Sequence, residues 1–396
     1  MRARGAVAFA VALIAALGVG LWYGGHPNKL PGFLRNEFVA QPAALTAEAA
    51  ELIQDNYFRA VGDTELENSS LQGMVRELRR RHDDRFSDYF SPQKLAAFNE
   101  QIEGHFSGIG LSIVPAKKGL QVATVFPGSP AAKAGIDPGD TIVSVGGESL
   151  AGVDSETAVA KIKGPEGTQV TIGVLDAKTG KTREETLTRA QVMLPNVSSQ
   201  VKKVDGRKLG YVRMLSFSED AHAQLAKAVE KVEGEGAEGI VLDLRGNPGG
   251  LLDEAVGSAA VFLPEGEVVV TTKSRAQGDS THKTDSGQVS ELPLVVLIDR
   301  NTASAAEILT AALADDRDAT VVGTRSFGKG VFQEEQDLAN GGALKLTVGE
   351  YFTPNGQNLA RTKGIHPDVK VADDPETAAD EAKRRALEVL AGQVGA

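Results

Sequence analysis

The chain contains no cysteine. That excludes disulfides, thiolate zinc sites, a cysteine nucleophile and a lipidated N-terminal cysteine. Histidine is scarce, with six residues: His26, His82, His105, His222, His282 and His366. No two of them stand four apart, as zinc-binding helices require, and no Gly-x-Ser-x-Gly elbow occurs. A metalloenzyme or a Ser-His-Asp hydrolase therefore has little support, and no metal or other cofactor is expected. Positive charge is also in deficit. Lys and Arg total 42 against 53 Asp and Glu, a net charge of -11, which disfavours nucleic acid as a general partner.

What remains is ordinary globular composition, 41% hydrophobic and 24% charged over 396 residues, enough for two or three domains. One long apolar run stands out. Residues 6–23 are uncharged and follow Arg2 and Arg4. As a helix the run spans about 27 Å, just enough for a bilayer. Trp22 and Tyr23 close it as an interfacial pair would, so an uncleaved signal anchor is expected, with a cleaved signal peptide as the alternative. The basic start keeps the N-terminus in the cytoplasm and places the rest outside it. Residues 26–43 carry Pro, Gly and Asn and read as a linker. Residues 44–103 are largely helical, with Leu71, Met74, Val75 and Leu78 repeating at three and four.

Residues 104–189 change to short strands and glycine turns. From residue 195 onward strands and helices alternate. Gly239-Ile240-Val241-Leu242-Asp243-Leu244 is a buried strand that stops at Arg245-Gly246-Asn247-Pro248-Gly249-Gly250, after which residues 251–263 read as helix. This alternation argues for parallel sheet with right-handed crossovers. The polar stretch 277–291 reads as a loop, and residues 374–396 as a C-terminal contact helix.

The core is organised around residues 299–333. Leu294-Val295-Val296-Leu297-Ile298 is a buried strand. It stops at Asp299, and Ser304 opens a helix. A serine on such a turn lies beside the free N–H groups of the first helical turn, where an oxyanion is stabilised. Two plainer readings compete. Ser304-Ala305-Ala306-Glu307 fits a capping box, and on spacing alone capping has the stronger claim. Gly323 to Lys329 nearly spells a phosphate loop, but Gly330 replaces the hydroxyl residue and extended sequence follows in place of a helix. The third reading uses both ends. Lys329, flanked by Phe327, Gly328, Gly330, Val331 and Phe332, has the apolar company that a neutral amine needs to serve as base to Ser304. Gln333 shares its face if the segment is extended.

Ser304, Lys329 and Gln333 together resemble the signature of the carboxyl-terminal processing peptidases, or tail-specific proteases. These carry a serine in a Ser-Ala-x-Glu-like turn, then a lysine in Gly-Lys-Gly, then a glutamine four beyond it. Gly108-Ile109-Gly110-Leu111, followed by Gly128-Ser129-Pro130-Ala131-Ala132 and Pro138-Gly139-Asp140, resembles a PDZ domain. The resemblance implies an α/β protease core of crotonase/ClpP-like βα units (190–373), an inserted or preceding strand-rich α+β PDZ domain (104–189), and an N-terminal helical region. It implies catalysis by Ser304, Lys329 and Gln333. It also implies an oxyanion hole of the Ala305 N–H and one from Gly249 or Gly250, between which the sequence does not choose. Gly108, Ile109, Gly110 and Leu111 become the peptide-binding loop, an anion nest beside a strand that a peptide extends. The expected partners are proteins or peptides with apolar C-termini. An activating adaptor and a homo-oligomer stay open, as does a contact of Lys163 with the protease core that holds the enzyme shut. The expected function is an extracytoplasmic, cell-envelope serine endopeptidase. The alternatives are a non-catalytic, membrane-anchored PDZ adaptor and a nucleotide binder.

Overall fold

The computed structural model describes residues 41–194, 196–285, 287–374, 376–377 and 379–395. The expected signal segment (1–25), and the linker up to residue 40, lie outside the described residues. Among the described residues, no helix is long and apolar enough to cross a membrane. The chain forms two compact units that divide between Ser91 and Pro92. The first holds helices α1 (Gln41–Asn56) and α2 (Asp63–His82) and the short strand β1 (Asp88–Phe90). The last turn of α2 is basic, with Arg79, Arg80, Arg81 and His82, which suits the negative end of the helix dipole. Arg80 and Arg81 also pair with Glu77.

The second unit opens with α3 (Pro92–Glu103), a helix that sequence periodicity groups with the first two. Next, β2 (His105–Gly108) pairs antiparallel with β9 (Ala190–Met193), so the chain enters and leaves the intervening module side by side. That module contains β3 (Leu111–Ala116), β4 (Gly119–Val125), the short helix α4 (Pro130–Lys133), β5 (Thr141–Val145), β6 (Glu148–Ser149), α5 (Ser155–Ile162), β7 (Gln169–Leu175) and β8 (Thr182–Thr188). Its strands pair antiparallel in the order β3-β4-β5-β7-β8 around Leu120, Val122, Ile142, Ile172 and Val174. Ser129 caps α4 by accepting from Ala132 N at 3.1 Å, and Asp154 caps α5 by accepting from Thr157 N at 2.9 Å. Gly110 at φ +83° is required there, since a Cβ would lie 2.1 Å from that of Ser129.

The remaining elements are β10 (Val197–Val204), β11 (Arg207–Met214), α6 (Ala221–Gly234), β12 (Ile240–Asp243), α7 (Leu252–Ala260), β13 (Val268–Ser274), β14 (Gly278–Lys283), β15 (Leu294–Ile298), α8 (Ala305–Arg317), β16 (Thr320–Gly323), β17 (Val331–Asp337), β18 (Ala343–Phe352), β19 (Val369–Lys370) and α9 (Glu381–Val394). They build a sheet in the order β10-β11-β12-β15-β16-β19, parallel from β11 onward. Successive residues alternate between its faces. Val212, Leu242 and Val296 pack under α6, α7 and α8, whereas Tyr211, Val241 and Val295 pack under α9. Burial on both faces explains why these strands read as unbroken apolar runs. The C-terminal helix is thus a layer of its own chain's core. Each buried leucine there, such as Leu390, contributes about 1.5–3 kcal/mol.

The stretch 277–291, expected as a loop, contains β14, paired with β13. Its residues are mostly exposed, so it carries no apolar alternation to read. β13 also pairs with β18, and β18 with β17, in an antiparallel sheet that borders the site described next.

Candidate active site

Strands β12 and β15 are neighbours, and both end at the same edge of the sheet. The loops that leave them are tied together. Asp299 Oδ1 accepts from Gly246 N and Asn301 N at 2.9 Å and from Thr302 N at 3.0 Å. Thr302 Oγ1 donates to Leu244 O at 2.9 Å, and Ala303 N to Asn247 O at 3.0 Å. These bonds deliver Ser304 to the loop that follows β12. Ser304 takes φ 57° and ψ −122°, far from the extended conformation of an ordinary capping serine. Such backbone geometry costs on the order of 1–3 kcal/mol and persists only where its surroundings enforce it.

The glycines of the β12 loop divide the work. At Gly249 (φ +96°) a Cβ would lie 2.7 Å from that of Ser304 and 2.9 Å from Ala305 N, so only glycine permits the approach. Its own N–H donates to Asn247 Oδ1 at 2.9 Å. Gly250 is held by its neighbours, with Phe217 N donating to Gly249 O and Leu251 N to Phe217 O. Among the described residues, the N–H groups of Gly250 and Ala305 have no hydrogen-bond partner. Both residues line a cavity of about 350 Å³ together with Ser304, Lys329 and Gln333.

Glu307 lies beneath this arrangement, fully buried on α8. Its carboxylate accepts from Ser304 N at 3.0 Å, Gly328 N at 2.7 Å, Lys329 N at 3.0 Å and the Ser326 hydroxyl. Burial pushes its carboxyl above the usual range, and those four donors pull it back. The capping partner visible in the sequence thus also fixes the lysine segment. Sequence reading missed that second role because the contact joins residues about twenty apart, a separation that spacing does not reveal. Tyr351, another unforeseen member, donates its hydroxyl to Lys329 O. Asn358 Nδ2 donates to Gly330 O at 2.8 Å.

Lys329 Nζ donates to Gln333 Oε1 at 2.6 Å. The two do not meet through strand alternation. Lys329 precedes β17, and the β17–β18 register slips between Phe332 and Gln333. Burial lowers the Lys329 pKa to about 8; the positive charge of Lys345 adds to the fall and Glu307 opposes it. No helix follows Gly323 to Lys329, so the segment lacks the helix N-terminus that a phosphate loop needs. Leu251, Leu252, Ile308 and Phe332, with Phe98 and Ile102 of α3, give the cavity an apolar side.

The loop at residues 108–111 borders a separate groove of about 70 Å³. Gly108, Gly110 and Leu111 line it, joined by Phe106, Val159 and Ile162. Ile109 also borders it but is only 2% exposed and belongs to the module's core, so it is floor more than contact. Lys163, at the end of α5, lies at the groove and pairs with Glu100 Oε2 of α3 at 2.6 Å.

Residues 208–371 match peptidase family S41, and residues 97–175 match the PDZ domain. The chain is 35% identical over 355 residues to a carboxyl-terminal-processing protease of Synechocystis sp., covering 87% of this chain and 81% of that one. It is 33% identical over 323 residues to the carboxy-terminal processing protease CtpA of Bacillus subtilis, covering 82% of this chain and 67% of the relative. A solved structure from Bacteroides fragilis, assigned to the S41 proteases, shares the fold at a TM-score of 0.51 and 18% identity, covering 87% of this chain and 96% of that one.

Proposed function

Because the chain belongs to the carboxyl-terminal processing protease family and is a serine-type peptidase of family S41 with a PDZ domain, we propose that Ser304, Lys329 and Gln333 carry its chemistry. Ser304 Oγ attacks the scissile carbonyl. Neutral Lys329 takes the proton and later returns it to the leaving amine. An amine has one lone pair, and Gln333 Oε1, by accepting one of its hydrogens, turns that pair away from itself. The N–H groups of Gly250 and Ala305 hold the oxyanion. Gly249 contributes the close approach, its own N–H being engaged by Asn247. The observation that carries this reading is the meeting, in one cavity, of two unpaired backbone donors, a serine and a half-buried lysine held by a neutral amide.

The substrate class follows from the groove. A free carboxylate suits the turn at Gly108 and Gly110, and an apolar last side chain of modest size suits a space of about 70 Å³. The enzyme takes proteins with exposed apolar C-termini and works outside the cytoplasm, as the run at residues 6–23 supports. Fusing residues 1–43 to a reporter active only outside the cytoplasm checks the location; a silent fusion contradicts it. The function is tested with an unfolded, apolar-tailed protein, free of nucleotide. Wild type is expected to cut it, while Ser304→Ala and Lys329→Ala bind the tail without cutting. Tail binding without cleavage by all three would favour a non-catalytic adaptor, or an enzyme that awaits its activator, while cleavage by Ser304→Ala would overturn the catalytic reading.

A further inference from the structure

Lysine is a good base only when something keeps it neutral, and burial is one of two causes here. β17 and β18 pair so that Gln333 lies opposite Thr347 and Glu335 opposite Lys345. Residues two apart on a strand share a face, so these cross-strand pairs are adjacent on one face, their members about 4.5–5.5 Å apart at Cβ. Gln333 uses its oxygen for Lys329 Nζ and its nitrogen for Thr347 Oγ1 at 3.3 Å. The next pair along that face brings Lys345 into the cavity that Lys329 also lines.

Two ammonium groups in one partly dry cavity repel, and the one with poorer company gives up its proton. Lys345 has good company. Its Nζ sits 4.3 Å from the centre of the Phe98 ring, whose face favours a cation, and Glu335 stands across the strand. Lys329 is half-buried, and its amine is held by a neutral amide. Glu307, bound to the Lys329 backbone N–H, is the acid that opposes the effect from α8.

We propose that Lys345 is a positioning residue for the proton of Lys329: its positive charge disfavours the protonated form of the neighbouring lysine, so that a larger share of Lys329 is neutral, and therefore competent as a base, at a given pH. The proposal rests on the reading of Lys329 as the base. It gives a role to a residue outside the Ser304, Lys329 and Gln333 set.

The test is the pH dependence of kcat/KM for wild type, Lys345→Met, Lys345→Gln and Lys345→Arg, on a peptide without acidic residues near the cut. Thermal unfolding of each variant shows which of them fold. Wild-type activity is expected to rise with pH through a midpoint near 8. In Lys345→Met or Lys345→Gln the midpoint moves up by about one pH unit, so that about tenfold is lost at pH 7 and regained near pH 10. Lys345→Arg keeps the wild-type midpoint. A loss of the same size at every pH would overturn the proposal and make Lys345 merely structural. So would a loss confined to substrates with an acidic residue, which would make Lys345 a substrate contact. A wild-type profile with no rise would instead remove the lysine base itself.

Discussion

The proposed catalytic cleft and the proposed peptide groove draw on the chain in different ways. The groove is lined by two short stretches, residues 106–113 and 159–163, together with Ile142, and most of its lining is backbone or aliphatic. The cleft takes residues from α3, from the loop after β12, from Ser304 and the start of α8, from Lys329, and from β17 and β18. The groove needs little beyond the fold of its module, because a chain end is recognised by backbone donors and shape. The proposed mechanism needs a proton state at Lys329, and beside burial that depends on two groups distant in sequence, Lys345, which favours the neutral form, and Glu307, which opposes it.

This contrast is broken most sharply at Gly249. Gly249→Ala drives a Cβ into Ser304 and Ala305 N and would misplace the proposed oxyanion donors. A loss of about 10²–10³ in kcat is expected, with tail-peptide affinity unchanged. Equal losses in both would mean that cleft and groove are not separable. A second probe separates stability from activity. Folding lowers the Lys329 pKa from 10.5 to about 8. Below pH 8 the native state must therefore bury a charge that the unfolded chain carries freely, and the penalty fades between pH 8 and 10.5. Lys329→Met is expected to abolish cleavage yet stabilise the fold by about 2–3 kcal/mol at pH 7, with the gain shrinking toward pH 10.5. Denaturant melts at the two pH values measure it, and a destabilised or pH-independent variant would contradict it. The smallest effect is expected in the groove. Gly110→Ala sets a side chain against Ser129 at φ +83°. It should weaken tail binding about tenfold and leave the cleavage of short, tail-less peptides intact.

The same contrast explains what was legible beforehand. The groove loop could be read from Gly108 to Leu111 because its residues are contiguous and glycine announces the turn. Of the cleft, the sequence shows Ser304, Lys329 and Gln333 as a spaced set. It leaves Gly249 and Gly250 undecided, since only the Asn247 contact distinguishes their N–H groups. Glu307 was visible as a capping partner, but its bonds to Gly328 and Lys329 exist only once α8 and the lysine segment are packed together. β14 escaped notice because an exposed strand needs no apolar alternation.

The central claim is that a neutral lysine activates Ser304, and the wild-type pH–rate profile tests it most directly. On a peptide without titrating groups, kcat/KM should climb tenfold per pH unit below the midpoint and level off above it, with the midpoint near pH 8 where Lys329 loses its proton. A profile flat from pH 6 to 10, or one that falls as pH rises through 8, would contradict the account.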